Sequence, residues 1–400
     1  MPRAFVRAAA VFIIFLRLGL TSFGGPIAHL GYFRAEFVER RSWLTEREYA
    51  ELVALCQFLP GPASSQVGFA VGLHRAGMPG AVLAFIGFTL PSAVIMVAVA
   101  AGASIFSGGA AEGVIRGLML VAVAVVAQAV WGMARSLTPD VPRVAIAVVA
   151  VLIVLFVGGP LGQIGALALG ALAGLMLCRQ PVATDGQRSP SFGVSRRVGV
   201  ISLILFALLL LGMPVLAAVT GNGAVSLFDA FARSGALVFG GGHVVLPLLD
   251  SAVVQTGWVA PDQFLTGYAA AQAVPGPLFT FAGYLGALAS VGPGGVAGAA
   301  IATVAIFLPG FLLLVGLLPF WDRVRSRAWA GALMRGASAA VVGILAAALY
   351  DPVFVEAVTG AATLALAIVG FVALVVFRVA PWVVVLAGAV GGALVGAIAG

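Results

Sequence analysis

Apolar residues in this 400-residue chain come in long runs, not in alternating or heptad patterns. A helix needs about 20 mostly apolar residues to cross a bilayer. Nine runs fit, at about 80–104, 114–134, 143–158, 161–178, 198–219, 296–318, 332–349, 358–377 and 382–400, two of them short for a full crossing. Four more, 8–30, 50–72, 229–249 and 264–290, are apolar but interrupted by Gly, Pro, Gln, His and Arg. The pattern predicts an all-α polytopic membrane protein in which these four are broken or re-entrant helices. The polar stretch 179–197 is composed like a linker.

The interrupted segments repeat. Phe15, Arg17, Gly19, Phe23, Gly24 and Gly25 recur 216 residues later as Phe231, Arg233, Gly235, Phe239, Gly240 and Gly241. Gln57 and Pro60-Gly61-Pro62 recur at an offset of 215 as Gln272 and Pro275-Gly276-Pro277, with Trp43 and Trp258 between the motifs. Leu90-Pro91 then matches Leu308-Pro309, and Arg116-Gly117 matches Arg335-Gly336. The chain reads as two copies of one unit. We divide it into an N-terminal repeat at 1–178, a linker and connecting helix at 179–228, and a C-terminal repeat at 229–400.

Composition removes whole classes of function. With 62% hydrophobic and 9% charged residues and a mean hydropathy of +1.16, the chain is no soluble enzyme, nucleic-acid reader or disordered segment. The net charge of +7 comes from 21 basic residues, all arginine. Their placement fits positively charged cytoplasmic loops better than a polyanion-binding patch. Residues 31–48 hold Arg34, Arg40, Arg41 and Arg47, whereas the counterpart 250–262 holds Asp250 and Asp262. Residues 105–113 hold only Glu112, against Arg323, Arg325 and Arg327; residues 135–143 hold Arg135 and Arg143, against Asp351 and Glu356. Three reversals argue for an inverted-topology repeat. Inversion needs an odd number of crossings. Re-entrant hairpins at the four broken segments leave four in the first half, and the helix at 198–219 supplies a fifth. Ordinary kinked helices are the alternative, but they put residues 31–48 and their arginines outside. Met1, Arg3 and Arg7 ahead of an apolar run look like a signal peptide; Arg17 interrupts the run, so the segment is expected to be retained and to start inside. Cys56 and Cys178 lie too far apart in sequence to suggest a disulfide framework or a metal site.

The broken segments carry the chemistry. Gly24-Gly25-Pro26 and Gly240-Gly241-Gly242 permit tight turns, and Pro60-Gly61-Pro62 and Pro275-Gly276-Pro277 forbid a continuous helix. Half-helices then begin or end at membrane depth, where a helix N-terminus is an anion site. The bland alternative is a kink that lets helices pack closely. Arg17 and Arg233, six residues before each Phe-Gly-Gly, suit a bidentate grip on an oxyanion. Snorkelling of Arg17 and an i,i+4 pair of Arg233 with Asp229 are the plain readings. Gln57, Gln272 and Ser64 can donate to an oxyanion without a charge. Ser65 can as well, but the second copy follows its Pro-Gly-Pro with Leu278 and Phe279. His29, His243 and Glu51 are candidates for proton coupling, with structural or interfacial roles as the alternative for the histidines. No catalytic triad, nucleotide-binding loop, metal cluster or cofactor motif is present, so no enzyme activity is expected.

Phe23-Gly24-Gly25-Pro26, the stretch Leu55–Gly61, Phe239–His243 and Gln272–Pro277 together resemble the chromate ion transporter family in its long two-domain form. The resemblance spans nearly the whole chain, in both halves and in order. It implies a bacterial inner-membrane protein that exports chromate, driven by the proton-motive force or by exchange with sulfate. Composition and spacing alone reach only a secondary transporter, plausibly of an oxyanion. Sulfate or another tetrahedral oxyanion is the alternative substrate, and a membrane-embedded enzyme or scaffold subunit the remote alternative. The expected partners are the anion and the lipid bilayer, with a homodimer compatible and nucleic acid excluded.

Overall fold

The computed structural model describes residues 2–23, 25–103, 109–157, 159–179, 193–238, 245–325 and 327–399. Among the described residues the regular structure is helical. The first half consists of α1 (Pro2–Thr21), α2 (Gly25–Arg34), α3 (Glu46–Phe58), α4 (Ala63–Ala103), α5 (Gly109–Leu137), α6 (Val141–Val157) and α7 (Gly159–Leu177). Helix α8 (Arg196–Thr220) leads to the second half. That half begins with α9 (Gly223–Ala236), α10 (Val245–Leu249), α11 (Pro261–Ala273), α12 (Phe281–Leu288) and α13 (Gly295–Leu317). It closes with α14 (Trp321–Arg325), α15 (Ala328–Ala348), α16 (Val355–Ala357), α17 (Ala361–Val375) and α18 (Pro381–Ala399). Among the described residues, five helices are long and apolar enough to cross a membrane, by length and composition. The chain is an all-α multi-pass membrane protein. The predicted run at 80–104 is found as a helical arm of its own: the backbone of α4 is non-helical at Ala76 and Gly77, and the second arm runs from there to Ala103. A Cβ on Gly72 would strike the Gly80 carbonyl and the Ala84 side chain, so the two arms of α4 lie side by side.

Three of the four broken segments are helical hairpins; in the fourth, 229–249, residues 239–244 lie outside the described residues. Along α1 and the chain returning from it, Ser22 meets His29, Phe15 meets Phe33 and Phe37, and Arg17 meets Glu36. That order is antiparallel. A π-helical turn, Ala35–Arg40, ends the return, and Asp250–Val254 is its counterpart after α10. In both copies the following tryptophan closes onto the turn, Trp43 N–H on the Phe37 carbonyl and Trp258 N–H on the Val253 carbonyl, each at 2.8 Å. The next hairpin pairs α3 with the first arm of α4. Thr45 opens α3 with a capping box to Glu48. At the far end of the hairpin, the Arg75 guanidinium lies 4.8 Å from the Trp43 ring centre. Its second-half counterpart pairs α11 with α12, where Tyr284 donates to the Gln263 carbonyl at 3.1 Å and Ser290 N–H to the Trp258 carbonyl at 3.0 Å. Entry and exit of each hairpin are therefore neighbours, with the Pro-Gly-Pro at the tip.

The halves exchange helices. Arg116-Gly117 of α5 and Arg335-Gly336 of α15 are repeat equivalents, and each glycine receives a small-residue stripe from the other half. A Cβ on Gly336 would lie 2.5 Å from the Gly174 Cα of α7 and collide with the Gly170 carbonyl. On the other side, a Cβ on Gly117 would collide with the Gly388 carbonyl of α18 and lie 3.3 Å from the Gly392 Cα. Lipid tails are as apolar as leucine, so close backbone approach, not hydrophobicity, drives such pairing. By contrast α8 is almost wholly peripheral, with Ile201, Leu208, Leu211 and Val219 exposed as lipid-facing side chains are.

Candidate functional site at the crossed hairpin tips

Each Pro-Gly-Pro tip is bonded to the break in the other half's first hairpin. Gly61 N–H donates to the Val238 carbonyl at 2.7 Å, and Gly276 N–H donates to the Ser22 carbonyl at 2.9 Å. Ser22 and Val238 each immediately precede a Phe-Gly-Gly motif, so the two bonds are one interaction made twice. Both glycines sit at positive φ, +119° and +99°, open to glycine and strained for other residues. Both abut the residue after the matched Leu-Pro dipeptides. A Cβ on Gly61 would lie 3.1 Å from the Gly310 Cα, and one on Gly276 would lie 2.8 Å from the Ser92 Oγ. Gln66 seals the first tip by donating to the Pro60 carbonyl at 3.1 Å and the Gly310 carbonyl at 2.9 Å.

Around this crossing the first half is polar. The α4 helix starts here with Ser64, Ser65 and Gln66, all buried, and the first N–H groups of a helix have no intrahelical partner. His29, 1% exposed, sits between its Nδ1 contact to the Ser64 Oγ at 3.4 Å and its Nε2 contact to the Ser22 carbonyl at 3.2 Å. A carbonyl only accepts, so Nε2 carries a proton and a neutral His29 takes the Ser64 hydroxyl proton at Nδ1. The Ser22, Ser65 and Thr89 hydroxyls and the Gln66 Oε1 are buried with no hydrogen-bond partner. Such groups cost several kcal/mol each at membrane depth unless water or a ligand meets them. The second half is apolar in the same register. Phe279, Thr280 and Phe281 replace Ser64, Ser65 and Gln66, and the Thr280 hydroxyl is spent on the Pro277 carbonyl at 2.8 Å. The two tips thus differ in polarity: buried hydroxyls gather at the start of α4, whereas Phe279 and Phe281 stand at the equivalent positions of the second half.

The structure brings together Ser64, His29, Gly61, Pro60, Pro62 and Gly276. Gly25 starts α2 at φ +77°, followed by Pro26; Phe23 leans on Trp382 at 6.3 Å between ring centres. Gly24, Phe239, Gly240, Gly241, Gly242 and His243 lie outside the described residues. Pro275 and Pro277 flank Gly276, and Gln272 hydrogen-bonds Tyr268. Gln57 is exposed on α3, where Glu51 pairs with Arg47 at 3.2 Å. The two arginines are already committed. Arg17 Nη2 holds Glu36 at 2.7 Å, joined there by Arg40 and Arg41, and Arg233 holds Asp229 at 2.6 Å on its own helix. Sequence reasoning missed Glu36, Ser22, Gln66 and Ser92. The first is 19 residues from Arg17, and only the backbone turn makes them neighbours. The position of Ser92, directly after a repeated Leu-Pro, was the available signal for the last.

A duplicated set of broken helical hairpins crossing inside a multi-pass membrane protein defines a transporter of the discontinuous-helix kind. The chromate transporter family profile matches residues 9–175 and 225–393, and the chain belongs to that family. It is 30% identical to a probable chromate transport protein of Synechococcus elongatus, over 84% of this chain and 82% of that one. It is 29% identical to a chromate transport protein of Pseudomonas aeruginosa, over 85% and 80% of the two chains. An uncharacterized transporter of Methanocaldococcus jannaschii is 24% identical over 80% and 77%. No solved structure matches the chain.

Proposed function

We propose that this protein is a secondary active transporter that exports chromate across the bacterial inner membrane, binding the dianion at the α4 N-terminus between the crossed tips. The observation that carries this reading is the cluster of buried hydroxyls without partners at the start of α4, in a chain whose relatives are named for chromate transport. Energetics favours the outward direction. Each charge moved through 100 mV is worth about 2.3 kcal/mol, so a dianion leaving an inside-negative cell gains about 4.6 kcal/mol, on the order of a thousandfold gradient. The membrane potential supplies that gain to a dianion leaving alone; one-for-one exchange with an incoming dianion moves no net charge and draws instead on the gradient of the incoming anion. Replacing Ser64 and Ser65 together by alanine removes two hydrogen bonds to a charged ligand, each worth about 1.5–3 kcal/mol. The expected result in proteoliposomes is a KM for chromate raised about a hundredfold or more. An unchanged KM would reject the site and leave the transport reading standing. Sulfate added as a competitor reports whether the site reads the tetrahedral dianion or chromium itself.

The two repeats are read here as inverted. In support, the phenyl ring of Phe85 on the second arm of α4 packs 5.0 Å from both Phe307 and Phe311 of α13, the equivalent helix. Same-direction pairing would bring Phe85 to its own equivalent, Thr303. Contacts at the two ends of α7 also support the reading. Arg335 caps the end of α7 at the Cys178 carbonyl, while Gln255 approaches Gly159 at the opposite end of that helix. Cysteines placed at Ser42 and Thr256, both exposed, are expected to label from opposite faces against a low background, because Cys56 and Cys178 are buried. Labelling from one face would remove the inversion.

A further inference from the structure

The π-helical turns Ala35–Arg40 and Asp250–Val254 each hold a buried carboxylate near the start, Glu36 in the first and Asp250 in the second, one register position apart by the 215-residue offset and in contrasting surroundings. Glu36 is surrounded by guanidinium groups, from Arg17 at 2.7 Å, Arg41 at 2.6 Å and Arg40 at 3.2 Å. Asp250 repeats the i,i+5 arrangement with an uncharged partner, its Oδ2 accepting from the Gln255 amide at 3.0 Å as Glu36 accepts from Arg41. It is 4% exposed, and its Oδ1 has no partner. Among the described residues no cation pairs with it. Asp351, in the π-helical turn Leu349–Phe354, and Glu356 on α16 face it with further negative charge. The remaining charged groups on the helices packed against this turn are the Asp229–Arg233 pair of α9, already mutually committed, and Asp262 of α11; α7 and α10 carry none. Asp250 lies outside the five spanning helices. Burial pushes its carboxyl up to about 6; the Gln255 amide opposes the rise, and Asp351 and Glu356 add to it.

Resting on the transport reading above, we propose that Asp250 is the binding site for a coupling proton, loaded from the face that carries Asp351 and Glu356 and discharged as the dianion is exported. The asymmetry between the turns supplies the reason. A carboxylate locked to three arginines stays ionised through a cycle, whereas one facing only an amide and other acids exchanges its proton when the turn opens to water. A proton moving in while a dianion moves out adds one more charge in the same electrical direction.

The test is reconstitution of the full chain in liposomes with a trapped pH dye, and chromate flux driven by a potassium diffusion potential. The wild type is expected to move protons with chromate. Asp250→Asn is expected to keep potential-driven chromate flux, lose the accompanying proton movement and become indifferent to a pH gradient. Proton movement in Asp250→Asn equal to wild type overturns the proposal, as does wild-type chromate flux without protons. Absence of any wild-type chromate flux sinks the transport reading and this one with it. Should the asparagine variant not assemble, Gln255→Leu serves: removing the amide should move the midpoint of the pH dependence upward, and an unmoved midpoint rejects the assignment.

Discussion

Alanine at Gly276 is expected to cut transport at least tenfold in a protein that still reaches the membrane. The residue holds φ at +99°, where a side chain costs about 1–3 kcal/mol. Its new Cβ would sit 2.8 Å from the Ser92 Oγ and 3.3 Å from the Phe88 carbonyl. The Ser92 hydroxyl can rotate away only by giving up its 3.0 Å bond to the Thr89 carbonyl. The damage reaches the anion site through Ser22, whose carbonyl accepts from both Gly276 N–H and His29. Shifting the tip therefore releases the histidine and, through it, the Ser64 hydroxyl. Gly61→Ala is expected to be at least as harmful, because its Cβ meets the Gly310 backbone at 3.1 Å as well as the Gln66 side chain. Vesicle uptake measured with a matched thermal-stability assay checks both. Wild-type flux in either variant would deny the tips their role.

Leucine at Gly336 should have the larger effect on assembly. The α15 backbone lies so close to α7 that even a Cβ would fall 2.5 Å from the Gly174 Cα. Overpacking a tight contact costs about 1–3 kcal/mol when neighbours can move, and here the neighbours are helix backbones that cannot. Helices α6 and α7 of the first half both lean on α15, so their separation removes the anchor between the halves. The expected outcome is near-complete loss of monodisperse protein on detergent extraction. Leucine at Gly132, where nothing lies within 4 Å of a Cβ, is the matched control and should extract normally.

Much of this architecture could be read from the amino acids because the signals are local. A 20-residue apolar run has one reading in a bilayer, and Pro60-Gly61-Pro62 breaks a helix wherever it stands. The predicted 198–219 became Arg196–Thr220, and 296–318 became Gly295–Leu317. The break in 50–72 needed only Pro60-Gly61-Pro62. What stayed hidden was pairing between distant elements. Gly170 and Gly174 stand in the sequence beside Gly388 and Gly392 as alternative partners, and composition does not say that each stripe crosses to the other half. Soluble helices betray their packing face by amphipathicity, but these helices are apolar all round. The same limit hid the partner of Arg17. Glu36 meets it only through a hairpin, whereas the pair of Arg233 with Asp229 was legible from the i,i+4 spacing. The polarity of the α4 start was visible as Ser64 and Ser65, whereas the stranded hydroxyls that make it a site needed coordinates.

The reciprocal bonds from Gly61 to Val238 and from Gly276 to Ser22 have a mechanical consequence. Each tip is tethered to the hinge of the opposite repeat, so a displacement of one hairpin drags the other repeat's turn with it. On the transport reading proposed above, the pathway would behave as a single see-saw with the anion at its fulcrum. Opening toward one compartment closes the other by leverage, and a leak through both ends at once requires those tethers to part.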